Sequence, residues 1–298
     1  MHWQKLTITT TQEAETAVEA ILYDLGTAGI QKETALLKQT GLLYLSSYFN
    51  NAKEAQEKLK KAKQRVAALA QFGFDVQRLE VKLVKVDDQK WAHEWEKYYH
   101  AQRITRYLTV VPTWEEYQAR QAGEVLLRLD PGDAFGTGTH PTTVLALAAL
   151  ENCLRGGETV IDVGTGSGVL SIAACRLGAQ QVFASDLDEQ AVASAKRNLK
   201  ANGVQSKVIV KQGNLLQGAP DAVDLIVANV LPEVQELLLP PQVGLHLKEN
   251  GKLIMSGIIV TKKELLVEQA DKQGLTLQQA TSDGKWVSLV LQKSKGGD

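Results

Sequence analysis

Residues 4 to 10 alternate polar and apolar, which places Leu6 and Ile8 on one face of a predicted strand. Thr10 and Glu13 form a capping-box pattern ahead of Ala14, Ala17, Val18, Ile21, Leu22 and Leu25, a helical stripe that Gly26 closes. Two short extended segments follow, one near Ile30 and one over Leu42 to Tyr48. An amphipathic helix then carries Ala52, Ala55, Leu59, Ala62, Val66 and Leu69 on its apolar side and ends at Gly73. Leu79, Val81 and Leu83 alternate as a further strand. The order βαββαβ over residues 1–86 predicts a small ferredoxin-like α+β layer, with four antiparallel strands under two helices.

The segment from Asp87 to His100 has helical composition, and Trp91 and Trp95 lie one turn apart on one face, so residues 87–119 are expected to hold a connector helix and linker. Extended stretches at Ile104 to Val111 and Glu124 to Leu129 lead to a Gly/Thr-rich loop and a helix from about Val144 to Leu154. Strands are then expected at 158–163, 181–186, 207–212, 222–228 and 251–257, alternating with helices at 168–177, 188–202, 231–246 and 261–273. Two last strands, at 275–280 and 286–293, form a hairpin across Ser282-Asp-Gly-Lys. This alternation requires a mostly parallel sheet covered on both faces, here assigned to residues 120–298.

Bulk properties narrow the function classes. Over 298 residues, 33 Lys and Arg against 34 Asp and Glu give a formal charge of −1, so there is no general attraction to nucleic acid or anionic lipid. Direct nucleic-acid binding is therefore not expected. No stretch approaches the ~20 apolar residues of a membrane span, and the N-terminus lacks an apolar signal core, so a cytoplasmic protein without a membrane partner is expected. Cys153 and Cys175 sit in apolar helical surroundings and read as buried thiols; no Cys/His group has zinc spacing.

The chemistry concentrates in Val160-Ile-Asp-Val-Gly-Thr-Gly-Ser-Gly168, a β-branched run entering three alternating glycines and then a helix. A dinucleotide fingerprint needs G-x-G-x-x-G so that pyrophosphate meets the helix N-terminus, but Gly164, Gly166 and Gly168 are spaced G-x-G-x-G. About 20 residues past Gly164, the next strand ends in Asp186, where a doubly wound sheet places the acceptor for ribose hydroxyls. Asp188 is the better cap for the following helix. A nucleoside without pyrophosphate is implied, with S-adenosylmethionine as the candidate cofactor.

Other strand ends supply further candidates. Asn214 can accept from an adenine amino group or serve as a turn residue. Asn229 places an amide where the methyl group should lie, or else caps a helix. The following Val-Leu-Pro is unlike the Pro-Pro-aromatic sequence that clamps planar amino groups, which moves the acceptor toward a flexible amine. In the loop Phe135-Gly-Thr-Gly-Thr-His-Pro-Thr-Thr143, glycines and hydroxyls are placed to close over the methionine end of the cofactor, or one hydroxyl caps the helix starting at Thr142 or Thr143. His140, just before Pro141, is a candidate base or a shaper of that turn.

Together the Thr loop, the glycine motif, Asp186 and Val-Ala-Asn-Val-Leu231 resemble the bacterial methyltransferases of ribosomal protein L11, a likeness that extends along essentially the whole chain. The resemblance implies a Rossmann-like class I methyltransferase sheet with a smaller N-terminal domain that recognises the ribosomal protein. It implies that Thr143, Gly164, Asp186 and Asn229 contact S-adenosylmethionine, and that lysine ε-amines and the N-terminal α-amine of L11 are methylated up to three times. From the residues themselves, Gly166 belongs to the cofactor loop and Asn229 orients the amine. A class I methyltransferase acting on another protein, a small molecule or a nucleic acid is the alternative. A nicotinamide oxidoreductase fits the glycine spacing poorly, and a non-enzymatic adenosine-binding module stands as a third reading.

Overall fold

A computed structural model describes residues 4–27, 30–34, 37–49, 51–85, 99–130, 138–230, 234–235, 238–239 and 242–294. The chain forms two compact units, Met1–Tyr99 and His100–Asp298.

In the first unit the elements run β1 (Gln4–Thr11), α1 (Glu15–Asp24), β2 (Gln31–Glu33), a short α2 (Leu37–Thr40), β3 (Leu42–Phe49), α3 (Ala52–Ala68) and β4 (Glu80–Lys85). The sheet order is β2-β3-β1-β4 with every neighbouring pair antiparallel, the expected ferredoxin-like arrangement. Alternation in β1 and β3 puts Leu6, Ile8, Leu43 and Leu45 on the buried face against Val18, Leu22, Ala55, Ala62 and Val66 of α1 and α3. Asn51 caps α3 by accepting from the N–H groups of Lys53 at 3.0 Å and Glu54 at 3.2 Å. Thr10 does not cap α1. It stays in β1 opposite Leu43, because ladder pairing extends to Thr11, whose hydroxyl accepts from Ala14 N–H at 3.3 Å. The expected connector helix with Trp91 and Trp95 falls outside the described residues.

The second unit begins at His100, ahead of the boundary expected near residue 120. Its first strands are β5 (Gln102–Arg103), β6 (Leu108–Pro112) and β7 (Val125–Leu129), which form their own three-stranded sheet. Packing explains the earlier boundary. Leu108, Val110, Leu127 and Leu129 share one apolar core with α4 (Pro141–Cys153) and with β8 (Thr159–Val163) and α5 (Val169–Arg176).

The chain continues through β9 (Gln181–Asp186), α6 (Glu189–Ala201), β10 (Val208–Gln212), β11 (Val223–Asn229) and α7 (Gln242–His246). It ends with β12 (Leu247–Ile259), α8 (Lys263–Asp271), β13 (Leu275–Asp283) and β14 (Trp286–Lys293). Of the helix expected over 231–246, residues 231–233, with Pro232, lie outside the described set, as do 236–237 and 240–241. The sheet order is β10-β9-β8-β11-β12-β14-β13, parallel from β10 to β12, with β14 antiparallel to both its neighbours. Alternate residues feed two cores. Val160, Val182, Leu225, Val227 and Ile254 face one side; Ile161, Val163, Ile226, Ala228, Leu253 and Met255 face the other. The order reverses between β8 and β11, and ligands bind such sheets beyond the carboxyl ends of the strands at that crevice.

Among the described residues the outer edge of β7 meets side chains and no further strand. Asn202, on the residue after α6, accepts from Arg128 N–H at 2.9 Å and donates to Arg128 C=O at 2.6 Å. Asn198 accepts from Asp130 N–H at 2.9 Å and donates to the carbonyls of Asp130 at 3.3 Å and Ser167 at 2.9 Å. Two amides thus mimic a partner strand and tie β7 to the glycine loop. Asn202→Ala leaves Arg128 N–H and C=O without these partners and is expected to cost about 2 kcal/mol in urea unfolding, whereas an unchanged midpoint would show the clamp to be dispensable.

Candidate active site

The glycine loop follows β8 and is held in shape by its own protein partners. Gly164 and Thr165 donate their N–H groups to Ser185 C=O at 2.9 and 3.0 Å, and Gly168 N–H donates to Thr165 C=O at 2.8 Å. Gly166 N–H donates to Asp186 Oδ2 at 2.9 Å, and Asp188 N–H to Asp186 Oδ1 at 3.0 Å. The loop amides are therefore already committed, whereas a pyrophosphate site needs them directed at the ligand. Asp186 is only partly buried, and each of its oxygens keeps acceptor capacity that suits ribose hydroxyls. Asp188 caps α6 through Gln190 N–H at 2.9 Å, so Asp186 is spared that task, as expected.

Gly164 is required by its neighbours. Its φ is +71°, and a Cβ there would lie 2.5 Å from Val230 Cγ1. That close approach brings the β8 loop against the end of β11. Beneath it, Asp162 is fully buried and accepts from the hydroxyls of Ser171 at 2.6 Å and Thr165 at 2.7 Å, both on Oδ2. Its Oδ1 has no partner among the described residues. Burial pushes the Asp162 carboxyl up to about 6, the two hydroxyls oppose that rise, and the charge of Asp186 adds to it.

At the end of β11, Asn229 Nδ2 donates to Thr143 Oγ1 at 3.3 Å. Thr143 is fully buried in the first turn of α4. The cap of that helix is His140, not Thr142 or Thr143. Pro141 takes the first helical position, where its fixed φ fits, and so starts α4 earlier than expected. His140 Nδ1 accepts from Thr142 N–H at 3.3 Å and lies 2.8 Å from Thr142 Oγ1, which supports its reading as a turn shaper. Burial, with the charge of Lys285, lowers the His140 pKa. Thr143 is thereby left to meet Asn229.

Three residues not singled out from the sequence complete this corner. Gly257 in β12 has φ +84°, and a Cβ there would stand 2.7 Å from Val230 C=O and 3.1 Å from Asn229 Oδ1. A lone glycine in an apolar strand run is the signal for such a bulge, and the β12–β14 register does shift between Met255 and Ile258. Gln235 is fully buried and donates Nε2 to Val230 C=O at 2.8 Å and also to Ser256 C=O. Ser256 Oγ donates to Thr142 C=O at 2.7 Å, so β12 fixes both α4 and the end of β11.

The structure thus joins Gly164, Gly166 and Asp186 beyond the ends of β8 and β9, and Thr143 and Asn229 at the end of β11, with Val230 lying against Gly164 and next in the chain to Asn229. Asn214 stands at the border in an exposed turn, its carbonyl accepting from Gln217 N–H at 3.0 Å, while Gly213 N–H donates to Asp186 C=O at 3.0 Å. Cys175 is not a reactive thiol, since burial pushes it up to about 11, and burial raises Cys153 as well. Among the described residues no helix is long and apolar enough to cross a membrane.

A parallel sheet with one antiparallel strand inserted next to its edge, a G-x-G-x-G loop without a phosphate nest and an acid closing the second strand define a class I S-adenosylmethionine-dependent methyltransferase. Residues 2–294 match the family model described as ribosomal protein L11 methyltransferase (PrmA), and the chain belongs to that family. A ribosomal protein L11 methyltransferase of Lacticaseibacillus paracasei is 45% identical over 96% of this chain and 96% of its own. One from Enterococcus faecalis is 40% identical over 98% of this chain and 99% of its own. A crystal structure titled ribosomal protein L11 methylase, from Lactobacillus delbrueckii subsp. bulgaricus, aligns with a TM-score of 0.62 and 36% identity, covering 66% of this chain and 100% of that one. The alternative acceptor classes and the nicotinamide reading are not favoured by these findings.

Two outcomes follow from the geometry. Gly257→Ala is expected to lower stability by roughly 1–3 kcal/mol through backbone strain and to weaken binding of S-adenosylhomocysteine as Asn229 is displaced, whereas wild-type melting and affinity would refute the close contact. For Asp162, a raised folded-state pKa means stability that is complete below the unfolded value and lost as pH climbs through about 6. Urea titrations should therefore show Asp162→Asn gaining on the wild type between pH 4 and 7 by on the order of 2–3 kcal/mol, and a constant gap would contradict the assignment.

Proposed function

We propose that this protein transfers methyl groups from S-adenosylmethionine to lysine ε-amino groups and the N-terminal α-amino group of ribosomal protein L11, in the cytoplasm. The observation carrying this reading is the pairing of two strand ends: a ribose-type acid clasping the glycine loop at β9, and an amide joined to Thr143 at β11. Gly164, Gly166 and Asp186 hold the nucleoside, Asn214 offers its amide to the adenine amino group, and Thr143 lines the methionine end. When bound, S-adenosylmethionine supplies a methyl carbon on a sulfonium that an amine nitrogen attacks in one displacement, with a neutral thioether leaving.

The difficulty lies with the acceptor. A free lysine of pKa ~10.4 is neutral in only about 4 of 10,000 copies at pH 7, a deficit of roughly 4.6 kcal/mol, while an α-amine near ~7.8 suffers far less. Withdrawing the amine from water beside the fully buried Thr143 lowers its pKa. Asn229 Oδ1 and neighbouring backbone carbonyls then accept its N–H groups and aim the lone pair, with positioning supplying much of the acceleration. Residues 1–86 of the first unit recognise the ribosomal protein, so that different amines reach one site while docking is kept.

Labelled methyl transfer into purified L11, resolved by site with mass spectrometry, tests the reaction. Asn229→Ala is expected to lose about 100-fold in turnover even with S-adenosylmethionine saturating; wild-type turnover would remove its orienting role. Residues 100–298 alone retain both cores of the second unit. They should bind cofactor yet fail on folded L11, and full activity would contradict the recognition role of the first unit.

A further inference from the structure

The Thr143–Asn229 corner continues into an apolar edge that the reaction as described does not use. His140, which caps α4, sets its ring against Trp286 with centroids 5.5 Å apart and planes at 67°. Trp286 begins β14 and pairs with Ile259, the last residue of β12. Ile259 lies two residues beyond Gly257, whose bulge re-aims the strand end beside Asn229. Ile259 and Val260 are 39% and 45% exposed, and Val260 N–H donates to Lys285 C=O at 2.9 Å, which closes the edge on itself. A continuous path therefore runs from Asn229 through Thr143 and the first turn of α4 to His140, Trp286 and Ile259.

We propose that Trp286, braced by His140 and flanked by Ile259, is a specificity-determining residue whose indole seats the methylene stem of an acceptor lysine as its nitrogen reaches Asn229. This rests on the reading of the chain as an L11 methyltransferase. A lysine carries four methylenes between backbone and nitrogen, and such stems lie along apolar surface while the polar tip reaches elsewhere. Lys285 Nζ already lies over one face of the ring, 5.5 Å from the indole centroid. A second charge there meets repulsion, so the wall suits the uncharged stem. An N-terminal α-amine has no stem of this kind and gains nothing from it.

The test measures kcat/KM separately for the ε-amines and the α-amine of L11, using full-length wild type, Trp286→Ala, Trp286→Phe and Ile259→Ser, with S-adenosylhomocysteine affinity measured by calorimetry. Trp286→Ala and Ile259→Ser should lose about 10-fold or more at lysines but no more than about 2-fold at the α-amine, with Phe restoring most lysine transfer and the nucleoside affinity unchanged. Equal losses at both amine classes, or undiminished lysine transfer, overturn the proposal. If Trp286→Ala fails to bind the nucleoside through misfolding, Ile259→Ser decides, since its side chain is partly in solvent. Wild type that binds the nucleoside but methylates no amine of L11 overturns the underlying reading and this one with it; lysine-selective loss in the variants cannot arise in that case.

Discussion

Asp186 does in this loop what a phosphate does in a dinucleotide site: its carboxylate receives the N–H of the central glycine, Gly166, at 2.9 Å. Ser185 C=O takes the N–H groups of Gly164 and Thr165 from the same strand end. The loop is thus held by the protein's own acceptors, which leaves little ordering cost for binding. The same bonds explain why the third glycine comes one residue early. A loop whose amides are committed internally has no need of the longer turn that opens a nest for pyrophosphate.

Everything else at the site depends on that clasp being brought up against β11. Gly164 is pressed on Val230, and Gly257 is pressed on Val230 C=O and Asn229 Oδ1. Gln235 bridges Val230 and Ser256, and Ser256 holds the first turn of α4. Three strand ends and one helix start therefore share a single packed corner, and shifting one shifts Asn229. Asn198 extends the same logic outward, since its amide reaches both Ser167 in the loop and the backbone of Asp130. A three-stranded sheet outside the main one is thereby coupled to the cofactor loop.

Much of this was legible from periodicity. β-branched alternation and glycine punctuation located nearly every strand and helix of both units, and the motif spacing pointed to the class of ligand. What escaped were features decided by contacts distant in sequence. Thr10 looked like a cap because its local pattern matches one, yet pairing with Leu43 keeps it in the strand. The boundary near residue 120 followed the strand and helix alternation, whereas Leu108 and Val110 join a core completed by later helices and strands. Thr143 was marked by the resemblance, but its release from capping depends on His140 taking that role. Gly257 carried a local signal, a glycine inside a strand, without any indication that Asn229 was the neighbour it spares.

The most direct measurement is calorimetric titration of the full-length protein with S-adenosylhomocysteine, alongside Asp186→Ala and with a nicotinamide dinucleotide as comparison. One nucleoside should bind per chain to the wild type, at least about 100-fold more weakly to the variant, which loses both the ribose acceptor and the partner of Gly166. The dinucleotide should give no heat. Equal nucleoside affinity in wild type and variant, or clear dinucleotide binding, would contradict the claim that this carboxylate shapes the loop and selects its ligand.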